Sequence, residues 1–257
     1  ISVLSATRKA LLERSEELER SNAELEQFAY IASHDLQEPL RKISAFGDLL
    51  RQTNGARLSD EGQQYLDSME NGALRMQNLV RDLLNLSRIS TQPTSFEQVD
   101  MNTVCEAVLA DLELAIEESG ARIEVAKLPT VEADPSQMRQ LLQNIIGNAL
   151  KFRRPNTPLE VRIGCEEPST SDWHATRCGI FVADNGIGFD TKDSERVFGV
   201  FQRLHPKQTY PGSGIGLAIC RKIVERHNGK IHVKSTLGKG TLFHIELPIR
   251  KSENALA

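Results

Sequence analysis

The chain contains no Cys-x-x-Cys pair. Its cysteines, Cys105, Cys165, Cys178 and Cys220, are dispersed, and its six histidines show no metal-ligand spacing. That argues against a structural zinc site and for reduced thiols in a cytosolic protein. No apolar run approaches the length of about 18 residues that suggests a membrane span. No basic segment followed by an apolar block opens the chain, so no signal peptide is expected. Positive charge is not in excess either. Lys and Arg number 31 against 35 Asp and Glu, a formal net charge of −4, so nucleic acid is not an expected partner. Ile1 stands where a Met is usual, which suits a piece of a longer protein. What is present is ordinary: 39% hydrophobic and 26% charged residues in 257 positions, enough for cores and comfortable for two domains.

Leu4, Leu11, Leu18 and Leu25 recur every seven residues, with no Gly or Pro before Pro39. This is a coiled-coil pattern. The core positions between them, Arg8, Ser15 and Asn22, are polar, so the seam is weak and suits a rod that transmits a signal. The helix is expected to continue into residues 28–43, where Phe28, Ile31, Leu36, Leu40 and Ile43 make an apolar stripe. His34 lies off that stripe and is expected to face water. Pro39 lacks an N–H and crowds the carbonyl of Asp35, so a kink is expected one turn after His34. An exposed histidine beside an acid and before a helix-bending proline suits a nucleophile displayed to a partner domain.

Asn54-Gly55 marks a turn within 53–60. A second helix follows, with Leu66, Met69, Ala73, Met76, Val80, Leu83 and Ser87 alternating by three and four. Two helices cannot bury both apolar faces alone, so a dimeric four-helix bundle is expected. Residues 90–99 are polar, include Pro93 and break the periodicity, as a hinge would. Beyond them, helices are read at 101–119, 136–152 and 214–227. Strands are read at 122–126, 130–133, 159–165, 177–183, 230–235 and 241–247. The expectation is an α/β sandwich of one mixed sheet and about three helices.

Three stretches in that half carry chemistry. Asn144, Asn148 and Lys151 recur at four and three, on one helical face opposite Ile145, Ile146, Ala149 and Leu150. They offer amide oxygens to a hard cation and an ammonium to phosphate. Asp184, at the end of an apolar strand, precedes Gly186 and Gly188. Such a carboxylate can accept from an amino group while glycines admit a base closely. Gly212, Gly214 and Gly216 precede an amphipathic helix, an arrangement that binds anions. About twenty polar residues between the glycine stretches, including Arg203, His205 and Lys207, read as a mobile lid.

His34, Asp35, Leu36, Pro39 and Leu40 resemble the phosphoacceptor box of sensor histidine kinases. The later stretches resemble the ATP-binding domain shared by histidine kinases, gyrase-type ATPases and mismatch-repair ATPases. They match its N box (Asn144, Asn148, Lys151), first glycine box (Asp184, Gly186, Gly188), F box (Phe198, Phe201) and second glycine box (Gly212, Gly214, Gly216). Gly238-Lys-Gly-Thr241 matches its closing motif. The resemblance covers roughly residues 20 to 250. It implies that Asn148 holds Mg²⁺, Asn144 lies beside the phosphates and Lys151 pairs with one. It further implies that Asp184 reads adenine, the glycines of 212–216 wrap the phosphates, and Arg203 reaches the γ-phosphate. His34 would be phosphorylated, with Asp35 orienting or deprotonating it. Gyrase-type relatives carry a water-activating Glu where Asn144 stands here.

The expected fold class is therefore α+β and multidomain, a dimeric helical hairpin followed by an α/β sandwich that binds ATP and Mg²⁺. The expected segments are a coiled coil at 1–27, a phosphotransfer hairpin at 28–90, a linker at 91–99, the ATP-binding domain at 100–250 and a tail at 251–257. The expected partners are a second copy, a response regulator receiver domain and an upstream sensor domain. A gyrase-type ATPase machine and a pseudokinase scaffold are the alternatives.

Overall fold

The structure is a computed structural model that describes residue 14 and residues 35–91, 96–166, 177–204, 210 and 212–248. The expected coiled coil (Arg14 apart), His34, and the expected lid residues His205 and Lys207 lie outside these. The chain divides into two compact units, 1–91 and 92–257. No described helix is long and apolar enough to cross a membrane.

The first unit is a helical hairpin. Helix α1 covers the described residues 35–54 and runs through Pro39. It gives way to a 3₁₀ turn at Gly55–Arg57, where Asn54-Gly55 predicts a turn. Helix α2, Asp60–Thr91, starts beyond Ser59. The Ser59 hydroxyl accepts from Gly62 N at 3.1 Å, satisfying one donor of the first turn. Leu66, Ala73 and Val80, seven residues apart, are buried, and Val80 and Leu84 pack on Leu40 of α1. Across the hairpin, Arg51 Nη2 reaches Asp67 Oδ1 at 2.6 Å and Glu70 Oε2 at 2.5 Å. Gln77 Nε2 donates to Ser44 Oγ at 3.1 Å. Only part of the expected apolar stripe is covered: Leu40 is buried, while Leu36, Ile43, Met69 and Met76 are exposed in the single chain.

The second unit is built on a five-stranded mixed sheet in the order β2-β4-β5-β7-β6. Its strands are β2 (Arg122–Val125), β4 (Glu160–Glu166), β5 (Arg177–Asp184), β6 (Lys230–Thr236) and β7 (Gly240–Pro248). Only the β2–β4 pair is parallel. Alternate residues point inward, among them Val161 and Ile163, Ile180 and Val182, Ile231 and Val233, and Phe243 and Ile245. Helices α3 (Met101–Asp111), α5 (Pro135–Lys151) and α6 (Gly216–Arg226) form the covering layer, α5 and α6 meeting strands of the sheet directly.

Two local readings are corrected. Glu97–Asp100 (β1) pairs antiparallel with β3 (Thr130–Ala133) in a second, two-stranded sheet, although its residues read as hinge. A four-residue strand with one buried position, Val99, leaves no period to detect. The helix expected over 101–119 is broken at Leu112, whose φ of −99° and ψ of 6° separate α3 from α4 (Glu113–Ser119). Its end is as expected, with Gly120 left-handed at φ 62°.

His227, just past α6, carried no sequence signal. It is 1% exposed. Asp134 N donates to its Nε2 at 3.0 Å, so Nδ1–H donates to Ile223 O at 2.8 Å. Burial depresses its pKa. Phe96 stacks on the ring with centroids 4.5 Å apart.

Candidate functional site

Helix α5 supplies the first wall. Asp134 caps it, accepting from Ser136 N at 2.9 Å and Gln137 N at 3.2 Å, and Pro135 occupies the first turn. Met138, Leu141, Leu142, Ile145, Ile146, Ala149 and Leu150 are buried. The 3.6-residue period then leaves Asn144, Asn148 and Lys151, all half-buried, on the other side.

The glycine loop before α6 meets that side. Asn144 Nδ2 lies 3.4 Å from Gly216 O, to which it donates. A Cβ on Gly212 would stand 2.6 Å from Lys151 Nζ. Gly214, at φ 76°, has Gln202 O 2.9 Å from where a Cβ would sit, so backbone packs here without room for a side chain. Gly216 begins α6, and the first N–H groups of a helix have no carbonyl partner within it. Arg203 closes the group: Nη1 donates to Gly212 O at 2.8 Å and Nη2 to Tyr210 O at 2.6 Å. The Tyr210 ring packs on Phe152, centroids 5.0 Å apart, and Lys151 Nζ lies 4.5 Å from the Phe152 centroid. Burial, and then the positive charge of Arg203, hold the Lys151 ammonium below its ordinary pKa. Two cations beside a glycine loop at a helix N-terminus are relieved by an anion placed among them.

The second wall is the end of β5. Asp184 stands opposite Val161 of β4 and Thr241 of β7. Gly186 N donates to its Oδ1 at 2.8 Å. Burial pushes the carboxyl up to about 6, while the backbone N–H groups of Gly186 and Thr241 pull the other way. A Cβ on Gly188 would overlap Thr236 O, and one on Gly240 would overlap Asp184 O. Ser235 Oγ donates to Gly240 O at 3.0 Å and lies 3.1 Å from Thr241 Oγ1. Ile187 N donates to Phe152 O at 2.9 Å, which ties this wall to the end of α5.

Asn144, Lys151, Arg203, Gly212, Gly214 and Gly216 are thus gathered at one end of α5. Asp184, Gly186, Gly188 and Thr241 are gathered where β5 ends and β7 begins, and Asn148 lies on α5 between Asn144 and Lys151. Phe198 of the F box is buried, with Phe243 edge-on at 6.5 Å between centroids. Phe201 is exposed with φ at 61°. Asp35 belongs to the other unit, where it is exposed on α1. Sequence reasoning passed over Phe152, Arg154 and Tyr210. The aromatic next to Lys151 was the available signal for the first. Among the described residues no cluster of three His, Cys, Asp or Glu side chains could hold a metal. An amide-only donor set suits Mg²⁺ that arrives with a triphosphate, because Mg²⁺ keeps phosphate and water ligands.

A mixed sheet whose strand end carries a half-buried carboxylate, faced by a polar helix and a phosphate-type glycine loop, defines a nucleotide-binding domain. Comparison with known proteins agrees. Residues 133–251 match the family model of the histidine kinase-, DNA gyrase B- and HSP90-like ATPases, and residues 24–92 match that of the His Kinase A (phospho-acceptor) domain. The chain is similar to Phytochrome-like protein Cph1 of Synechocystis sp., at 40% identity over 97% of this chain and 32% of the relative. It is similar to Adaptive-response sensory kinase SasA of Synechococcus sp., at 30% identity over 95% and 67%. Full-length ShkA, solved in complex with AMPPNP, has the same fold at a TM-score of 0.68 and 26% identity, over 88% of this chain and 46% of that one. The chain belongs to the sensor histidine kinases and comprises their catalytic core, a phosphoacceptor hairpin and an ATP-binding domain. It spans about a third of the length of Cph1 and of the cyanobacterial phytochrome A of Nostoc sp..

Proposed function

We propose that this core uses ATP to phosphorylate His34 and passes the phosphoryl group to an aspartate on a response regulator receiver domain. It works as a cytoplasmic homodimer below an upstream sensor domain. Residues 1–27 serve as the signalling coiled coil, 28–90 as the phosphotransfer hairpin, 91–99 as the linker and 100–250 as the catalytic domain, with 251–257 a tail. One observation carries the phosphate side of the reading: Lys151 and Arg203 flank the Gly212–Gly216 loop beside Asn144.

In this reading the backbone of Gly212, Gly214 and Gly216 cradles the phosphates, Lys151 and Arg203 offset their charge, and Asp184 accepts from the adenine amino group while Gly186 and Gly188 admit the ring. Thr241 supports Asp184 through its backbone N–H. Asn148, with Asn144 beside it, would hold Mg²⁺, which compensates triphosphate charge when bound. The bond between the γ-phosphorus and the β–γ bridging oxygen breaks as a bond to a His34 ring nitrogen forms. ADP leaves, and the ring proton passes to Asp35. An asparagine amide cannot deprotonate water. Asn144 therefore favours transfer to His34 over the hydrolysis expected of a gyrase-type machine. The intact Asn, Asp and Gly motifs weigh against a pseudokinase.

The test is incubation with γ-labelled ATP. Wild type is expected to acquire acid-labile label, as a phosphohistidine does, and His34→Gln to acquire none while still binding ATP. Acid-stable label, or acid-labile label persisting on His34→Gln, refutes the assignment.

A further inference from the structure

Three residues past Lys151, Arg154 reaches back to two turns that are distant in sequence. Its Nε donates to Asn185 O at 2.8 Å, and its Nη1 donates to Gly238 O at 3.0 Å. Asn185 sits between Asp184 and Gly186, and Gly238 lies in the turn joining β6 and β7. These turns pack backbone to backbone. Gly238 N donates to Ile187 O at 2.7 Å, and neither Gly188 nor Gly240 has room for a Cβ. Both flanks of the Asn185 side chain are committed as well: Nδ2 donates to Pro158 O at 3.0 Å and Oδ1 accepts from Glu160 N at 3.0 Å. The peptide after Asp184 is therefore held on one side by β4 and on the other by the Arg154 fork.

We propose that Arg154 is a positioning residue for base recognition: it fixes the turn after Asp184 against the β6–β7 turn, and so aims the Asp184 carboxylate at the base. The proposal rests on the reading of Asp184 as the adenine acceptor. Arg154 acts through the Asn185 carbonyl, not by touching the nucleotide. A planar guanidinium spans two carbonyls at once, which the point charge of a lysine does less well. The chemistry to be read out is discrimination between purines. Adenine presents an amino donor to Asp184 where guanine presents a carbonyl, and two acceptors face to face repel. A mere staple would weaken both nucleotides alike and leave their ratio unchanged.

The experiment measures ATP and GTP affinities by competition against a fluorescent ATP analogue for wild type, Arg154→Ala, Arg154→Lys and Asp184→Asn, each with its melting temperature. Arg154→Ala is expected to narrow the ATP-over-GTP preference about tenfold, with Arg154→Lys in between, the size expected for losing a charged hydrogen bond. A preference unchanged in both Arg154 variants but reduced in Asp184→Asn overturns the role of Arg154 and leaves the adenine reading standing. A preference unchanged in Asp184→Asn overturns the adenine reading and the proposal with it. Should Arg154→Ala not fold, Arg154→Lys, which keeps the charge, decides by the same ratio.

Discussion

Asp184 lies on a strand end that the sheet half-buries, and burial is the largest influence on its carboxyl, raising it to about 6. The unfolded chain ionises this group near the ordinary carboxylate value. Stability is therefore lost as pH rises from about 4 through about 6, and the full cost stands at neutral pH. The gap between the ordinary value and about 6 is worth roughly 3 kcal/mol there. In the proposed function this destabilising charge serves recognition, since a carboxylate that accepts from adenine has to be ionised and partly shielded from water. Asp184→Asn, whose amide oxygen can still accept from Gly186 N, is expected to raise the nucleotide-free melting temperature at pH 8 by about 5 °C. The gain should shrink toward zero near pH 4.5, while ATP affinity falls. Melting curves from pH 4.5 to 8 check this, and a pH-independent difference would mean that another group titrates. His227 runs in the opposite sense. Burial lowers its pKa, so its neutral form belongs to the fold and stability is lost as pH drops below about 6.5.

At the scale of elements, α5 and the glycine turns show how the same residue type serves opposite ends. Gly147 is in the middle of α5, and a Cβ there would meet nothing within 4 Å. Gly147→Ala is expected to stabilise the domain by roughly 0.5–1 kcal/mol, the helix penalty of glycine. Gly240 has φ at 114°, and a Cβ would overlap the Asp184 carbonyl. Gly240→Ala should cost more than about 3 kcal/mol through strain and displaced backbone, and should abolish ATP binding. Urea unfolding of the pair measures both signs. Helix α5 was legible because its cap, its apolar stripe and its polar face are all local. Strand β1 was not, because a short edge element takes its pattern from the partner it pairs with, β3.

At the scale of the molecule, the hairpin in one chain buries a single seam through Leu66, Ala73 and Val80. It leaves Phe46 at 67%, Leu49 at 52%, Leu50 at 39%, Met69 at 44% and Met76 at 46% exposure. An apolar patch of this kind on a two-helix unit is what a second copy covers. Replacing Phe46 and Leu50 by Glu is expected to weaken dimerisation at least about 100-fold, since each apolar side chain contributes on the order of 1.5–3 kcal/mol when buried. Sedimentation velocity over a concentration series reads it. ATP binding by the second unit should be unchanged.

The sequence by itself determined the order of the main helices and of the strands of the five-stranded sheet, the two-part division of chemistry and the residue types at the nucleotide site. Helical period, capping and glycine are encoded within a few neighbouring residues. Only the tertiary structure brought Gly212 to Lys151 and Gly216 to Asn144, and only it placed the Asp184 turn between Arg154 and the β6–β7 turn. Those contacts join segments far apart in sequence. Backbone carbonyls receive the Arg154 fork, and a carbonyl is present at every residue, so no side-chain pattern announces the partner. The raised carboxyl of Asp184 has the same origin: burial is a property of the assembled sheet and of the turns packed against its end, and no short stretch of chain carries it.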